Sequence, residues 1–172
     1  MKRHLLMLGV LALIIGLFVA AVTPNSIIAP QTPKYQQTAF VAGTDTAGTY
    51  KTAYTGGANG TKITGIFIGS TDTAVAHLFT VQMSVSTSAH CTPVNLSCSP
   101  GAAATIPINS GIANAVPVFN LLSPGIWPGL PRDSDGNPYL YLSGSSQTIE
   151  ATYATALTAS TIIVMNVVAA DF

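Results

Sequence analysis

Asp133, Asp135 and Asn137 set three side-chain oxygens at alternate positions in GLPRDSDGNPYLYL (Gly129–Leu142), which is how a calcium-binding loop begins. Such a loop also needs Gly at position six for its sharp turn and a bidentate Glu at position twelve. Counted from Asp133, Gly136 falls at position four, Pro138 at six and Gly144 at twelve, so the spacing fails. The same residues are good turn formers. Asp bonds its own backbone, Gly takes positive φ, and Pro138 holds Asn137 extended and starts a strand. A metal-assisted hydrolase on Asp133 and Asp135 is the enzymatic reading to weigh against that turn. The turn accounts for more of the residues, and no metal or other cofactor is expected.

The remaining reactive side chains do not converge. His4, His77 and His90 lack His or Glu partners at metal-binding spacings, and His77, near the start of a strand, is expected to face outward. His90 adjoins Cys91, but neighbours in a strand point to opposite faces, which works against a Cys–His nucleophile. No Gly-x-Ser-x-Gly elbow occurs, and GGANGT (Gly56–Thr61) has no following helix to present to a phosphate. The expected protein is not an enzyme. Cys91 and Cys98 in CTPVNLSC are too far apart for a Cys-x-x-Cys knuckle. They suit a local disulfide in an oxidising compartment, or stand as two thiols in a loop.

Charge is scarce: six basic and six acidic side chains make up 7% of the 172 residues. Lys34, Lys51, Lys62 and Arg132 are scattered singly, whereas nucleic-acid binding needs clustered cations, so that partner is excluded. A surface of Thr, Ser, Asn, Gln and Gly suits packing against copies of the chain or other subunits, or exposure outside a cell.

The elements that would position these residues fall into three regions. Residues 1–22 carry Lys2 and Arg3 ahead of an uncharged run, Leu5–Val22, in which Leu5, Leu11, Ile14, Leu17 and Phe18 recur. This reads as one hydrophobic helix, either a cleaved signal with Val19-Ala20-Ala21 before the cut or a retained membrane anchor or assembly arm. Residues 23–34 are a proline-rich linker. Residues 35–172 follow β grammar. Strands are expected at Gln36–Ala42, Tyr50–Thr55, Thr61–Gly69, Ala74–Val85, Thr105–Asn109, Val116–Leu121, Tyr139–Leu142, Thr148–Tyr153 and Thr161–Ala169. Gly56–Thr61 and Ser70–Ala74 read as hairpin-like turns. In Thr61–Gly69, strict alternation puts Ile63, Gly65, Phe67 and Gly69 on one face. The fold class is all-β, an antiparallel β-sandwich or jelly roll behind the N-terminal helix. Pro117–Pro131 cannot be a central strand. Its apolar Phe119, Leu121, Leu122, Ile126 and Trp127 either seal the domain's own core, which is favoured, or form a subunit contact.

Three segments resemble small virion structural proteins of tailed bacteriophages: Thr55–Val81, Asn120–Ala159 and the closing IIVMNVVAADF. The shared pattern is an Ala-Asn-Gly turn leading into a strand, a proline-rich loop ending in LPRDSDGNPYL, and a last strand before Asp171-Phe172. The resemblance implies a non-catalytic β-sandwich decorating or cementing a capsid or tail, with other virion subunits and itself as partners. It carries over no functional residues. The hydrophobic N-terminus departs from such proteins. It suggests a virion with a membrane, an arm inserted among subunits, or an exported protein of the bacterial envelope. On that last alternative the protein is a secreted or anchored binding module, whose Ala89–Gly101 loop contacts a glycan or receptor.

Overall fold

The computed structural model describes residues 32–84, 101–108, 110, 119–127 and 129–172. Leu5, Leu11, Ile14, Leu17, Phe18, Cys91 and Cys98 lie outside them, as does the expected N-terminal helix. The described chain is all-β: β1 Thr32–Val41, β2 Lys51–Thr55, β3 Thr61–Ser70, β4 His77–Ser84, β5 Ala102–Ile106, β6 Phe119–Asn120, β7 Leu140–Leu142, β8 Thr148–Tyr153 and β9 Ile162–Asp171. No helix long and apolar enough to cross a membrane occurs among the described residues.

The strands form two antiparallel sheets. The first runs β1-β9-β3-β6, with β7 also on β3; the second runs β2-β8-β4-β5. Inward side chains of both sheets share one core, in which the Phe40 ring meets Phe79 edge-on at 5.3 Å and Tyr153 at 5.8 Å. Edge-to-face pairs of this kind add to the burial of their area.

Both segments read as hairpin turns join different sheets instead. Gly56–Gly60 carries the chain from β2 to β3, and residues 71–76 carry it from β3 to β4. A tight turn has the same local chemistry whether it closes a hairpin or steps between sheets. Gly60 does take positive φ, +110°, where an added Cβ would press on the Tyr141 hydroxyl.

β3 departs from strict alternation. Its pairing with β9 slips between Ile63 and Gly65, leaving Thr64 exposed in a bulge. Ile63, Ile66 and Ile68 are therefore all buried on the inner face, and Phe67 turns outward, its ring lying over Gly65. The bulge follows from apolar residues on both parities of this segment: one extra residue lets three isoleucines share a face. Asn120 Oδ1 accepts the Ile66 N–H at 3.3 Å and so meets a donor at the irregularity.

Boundaries move where tertiary pairing overrides local preference. β1 begins at Thr32, so Thr32, Pro33 and Lys34 are strand and not linker. Proline is tolerated there because β1 is an edge. β5 lies at Ala102–Ile106, earlier than expected, because small alanines fit opposite large residues, Ala104 facing Phe79 and Ala102 facing Val81. β4 starts at His77, not Ala74, since the N–H groups of Ala74 and Val75 are taken by Asp72 Oδ1. β7 starts at Leu140, and Pro138 makes only an isolated bridge with Arg132.

Phe40→Ala should cost about 3–5 kcal/mol by urea unfolding, because it empties the ring-packed centre between the sheets. A loss below about 1 kcal/mol would show that the core collapses around the gap.

Candidate functional site

Buried ionisable groups are where site chemistry is normally found. The pair formed by Asp72 and His77 is the clearest case among the described residues. Both side chains are fully buried, and Asp72 Oδ2 lies 2.9 Å from His77 Nε2. The expectation of an outward His77 is wrong. With Phe79 and Val81, His77 lies on the inner face of β4, and its ring stands edge-on to Tyr153 at 6.2 Å. The alternation that buries Phe79 and Val81 extends back to position 77 and is the signal that could have found it.

The geometry of the pair is closed. His77 Nδ1 faces the Thr155 carbonyl at 3.0 Å while Nε2 faces the carboxylate. Both ring nitrogens thus face oxygen atoms of the protein and are held between the β3–β4 crossing and the β8–β9 connection. Asp72 Oδ1 also accepts from Ala74 N (2.9 Å), Val75 N (3.1 Å) and Thr158 Oγ1 (3.0 Å). Oδ2 further accepts from Thr158 N at 2.9 Å. Burial alone would push the Asp72 carboxyl up. The Thr158 and Ala74 amides, His77 and the Thr158 hydroxyl outweigh it and hold the carboxyl well below its usual range. Both carboxylate oxygens and both ring nitrogens are engaged within the protein. What the arrangement does is fasten the β3–β4 crossing to the β8–β9 connection.

Asp133 is likewise committed. Its Oδ1 accepts from Asn137 N (2.9 Å) and Asp135 N (3.1 Å), and its Oδ2 pairs with Lys62 Nζ at 3.1 Å. The Asn137 amide and then Lys62 hold its carboxyl below the usual value. Gly136 takes φ +82°, and Arg132 Nη1 donates to its carbonyl at 2.5 Å. This is the turn chemistry expected of the segment. Asp135 brings no second carboxylate to Asp133; only its backbone N–H reaches it. Among the described residues no three His, Cys, Asp or Glu side chains cluster as a metal site would need.

Of the proline-rich loop, Leu121, Leu122 and Trp127 are buried in the domain's own core and Ile126 packs against it. Phe119 lies in β6 opposite Ile68.

Two further features were not visible in the sequence. Lys62, Pro131, Asp133, Tyr139, Tyr141 and Phe172 line an open groove of about 330 Å³. In it Lys62 Nζ sits 4.9 Å from the Tyr139 ring centre, and the rings of Tyr141 and Phe172 are 5.8 Å apart. Elsewhere, Thr148, Glu150 and Thr152 are buried although they face away from the core side of β8. Alternation alone would have left them in water.

No protein-family model matches the chain, nor does the sequence of any curated protein. The fold defines the class: an all-β protein of two antiparallel sheets with Asp72 and His77 paired in its interior.

Asp72→Ala, which strands a buried histidine, should cost about 3–5 kcal/mol, and adding His77→Phe should recover part of the loss. The pH dependence has a fixed sign. Because the native carboxyl is depressed, its contribution is complete above the unfolded value of about 3.9 and is lost as pH falls below it. Urea unfolding between pH 2 and 7 should show an acid limb that is shallower in Asp72→Asn. Equal limbs in both proteins would assign the acid sensitivity elsewhere.

Proposed function

We propose that this protein is a non-enzymatic virion structural subunit that decorates or cements a phage capsid or an associated shell. In this reading its two sheets form a β-sandwich of jelly-roll type. The hydrophobic helix of residues 1–22 serves as a membrane anchor or assembly arm, and the partners are further copies and other shell subunits. The observation that carries the reading is how the few charges are used. Of six carboxylates, Asp45, Asp133 and Asp171 form ion pairs with lysines, Asp72 is bonded to His77 in the interior, and Glu150 is buried. The surface left over is close to neutral and offers little to steer a charged substrate or nucleic acid. Such a surface suits close packing among many copies, where unpaired charge would be costly to desolvate. The resemblance of Thr55–Val81 and Asn120–Ala159 to tailed-phage structural proteins points the same way.

A second reading, an exported or membrane-anchored surface binding module, is favoured by the aromatic groove around Tyr139, Tyr141 and Phe172. Exposed and half-buried rings beside a paired ammonium and carboxylate suit a recognition site.

Mass spectrometry of purified phage particles should find the polypeptide in amounts stoichiometric with a shell protein. Its absence from particles, with the intact chain recovered in the host envelope, would replace the first reading with the second.

A further inference from the structure

A strand at the edge of a sheet exposes a row of unpaired N–H and C=O groups, and proteins usually blunt such edges. Here most edges are blunted by brevity or irregularity. β6 has two residues, β7 three and β5 five, and β2 has five with a register shift between Thr52 and Tyr54. β1 is the exception. Its ten residues pair with β9 without a register shift, and Thr32–Gln37 are all exposed.

The direction of the free groups can be read from the strand's other half. Val41 N donates to Asp45 Oδ2 at 2.8 Å, and the Ala39 carbonyl accepts from Lys51 Nζ at 2.8 Å. Both groups therefore point away from β9. With a period of two and no bulge, Pro33, Tyr35 and Gln37 direct their backbone groups the same way. At Ala39 and Val41 the edge is capped. At Tyr35 and Gln37 no backbone or side-chain partner for the outward groups occurs among the described residues. The side chains there are held in place: Tyr35 Oη and Gln37 Nε2 both donate to Asn166 Oδ1, at 2.7 and 3.1 Å.

We propose that this open half-edge is a homodimer interface, in which β1 pairs antiparallel with β1 of a second copy about a two-fold axis at Tyr35. The register is fixed by the chain itself. Centring on Tyr35 lets the two Tyr35 residues exchange both backbone bonds, and each Gln37 N–H reaches the other copy's Pro33 carbonyl. Proline then falls at the ends of the ladder, where its missing donor matters least. Lys34, the sole charge in the strand, falls opposite Gln36, whereas parallel in-register pairing would set Lys34 against Lys34. The ladder stops after Gln37, where Lys51 begins to cap the edge. The occupant is a second copy because its strand offers the same short free segment with complementary donors and acceptors. The result joins two first sheets into one continuous sheet. The inference holds whether or not the setting is a virion.

The test is residue-resolved amide hydrogen exchange by NMR on the full chain in detergent micelles, with sedimentation velocity in parallel. The Tyr35 and Gln37 amides should be protected at high protein concentration and lose that protection on dilution. Gln37→Pro removes the outward donor together with an exposed side-chain bond to Asn166, and Tyr35→Lys gives up the Tyr35 bond to Asn166 and sets two ammonium groups across the axis. Each should raise the dimer dissociation constant at least about tenfold with little change in melting temperature. The proposal is overturned if Tyr35 and Gln37 exchange like free chain at every concentration while Gln36 and Thr38 stay protected. It also fails if their protection is independent of concentration, which would mean a cap from the same chain. A dimer that survives both variants is held elsewhere, by residues 5–22 for example, and equally counts against it.

Discussion

A carboxylate removed from water is tolerated only where its lone pairs are met, and the fold is organised around one that satisfies this condition. Asp72 collects amides from its own turn, the amide and hydroxyl of Thr158, and the His77 ring. Two stretches far apart in sequence are thereby fixed to one point: the crossing from β3 to β4 and the connection from β8 to β9. Losing any donor would leave charge in a dry interior, so the arrangement holds together or fails together. Ser160, in the same β8–β9 connection, takes a left-handed backbone conformation, φ 64°, that residues other than glycine seldom adopt.

Two other carboxylates, Asp171 and Asp45, act on the same principle at other crossings. Asp171 at the end of β9 accepts from Thr61 Oγ1 at 2.5 Å and Tyr54 Oη at 3.1 Å, joining the β2–β3 crossing to the last strand. Burial, and then the Asp171 charge, push the Tyr54 hydroxyl up to about 12. Asp45 pairs with Lys51 across the connection from β1 to β2 at 3.1 Å. Each of these connections steps from one sheet to the other. A turn inside a hairpin inherits its geometry from the ladder on either side. A step between sheets has no ladder to follow and must be fixed by side chains. Asp45, Asp72 and Asp171, half of the six carboxylates, are placed at such steps.

This division explains what could be read from sequence. β8 lies at Thr148–Tyr153 as its alternation and flanking turns dictate, and β2 and β7 differ by one residue at their starts. Strand existence is a local property, written in period two and in Gly, Asn and Pro. Which sheet a strand joins is not local, so Gly56–Gly60 and residues 71–76 looked like hairpins. A bulge is local in space but silent in sequence, so the face assignment of Ile63, Gly65 and Phe67 inverted midway along β3. The Asp72–His77 centre was half legible. Alternation through Phe79 and Val81 turns His77 inward, but Thr155 and Thr158, which complete the centre, are brought in by the pairing of β8 with β4. The Asp133 turn was fully legible because all but Lys62 of its bonds fall within five residues.

The same economy decides where the surface is left open. Asp45 and Lys51 do two things at once: they fix the step from β1 to β2, and they cap the backbone of Val41 and Ala39 along the β1 edge. Their reach is set by the crossing they serve, which lies at the C-terminal end of β1. The N-terminal half projects where the second sheet no longer covers it, so even Lys34 and Gln36, on the inward side of the strand, remain exposed. Lys34 meets Asp171 at 3.8 Å, which neutralises the one charge that would otherwise have guarded the edge. An edge with its gatekeeping charge neutralised, and with no cap on its backbone among the described residues, follows from spending scarce charge on crossings. A chain richer in lysine could have had both the fastened crossings and a guarded edge.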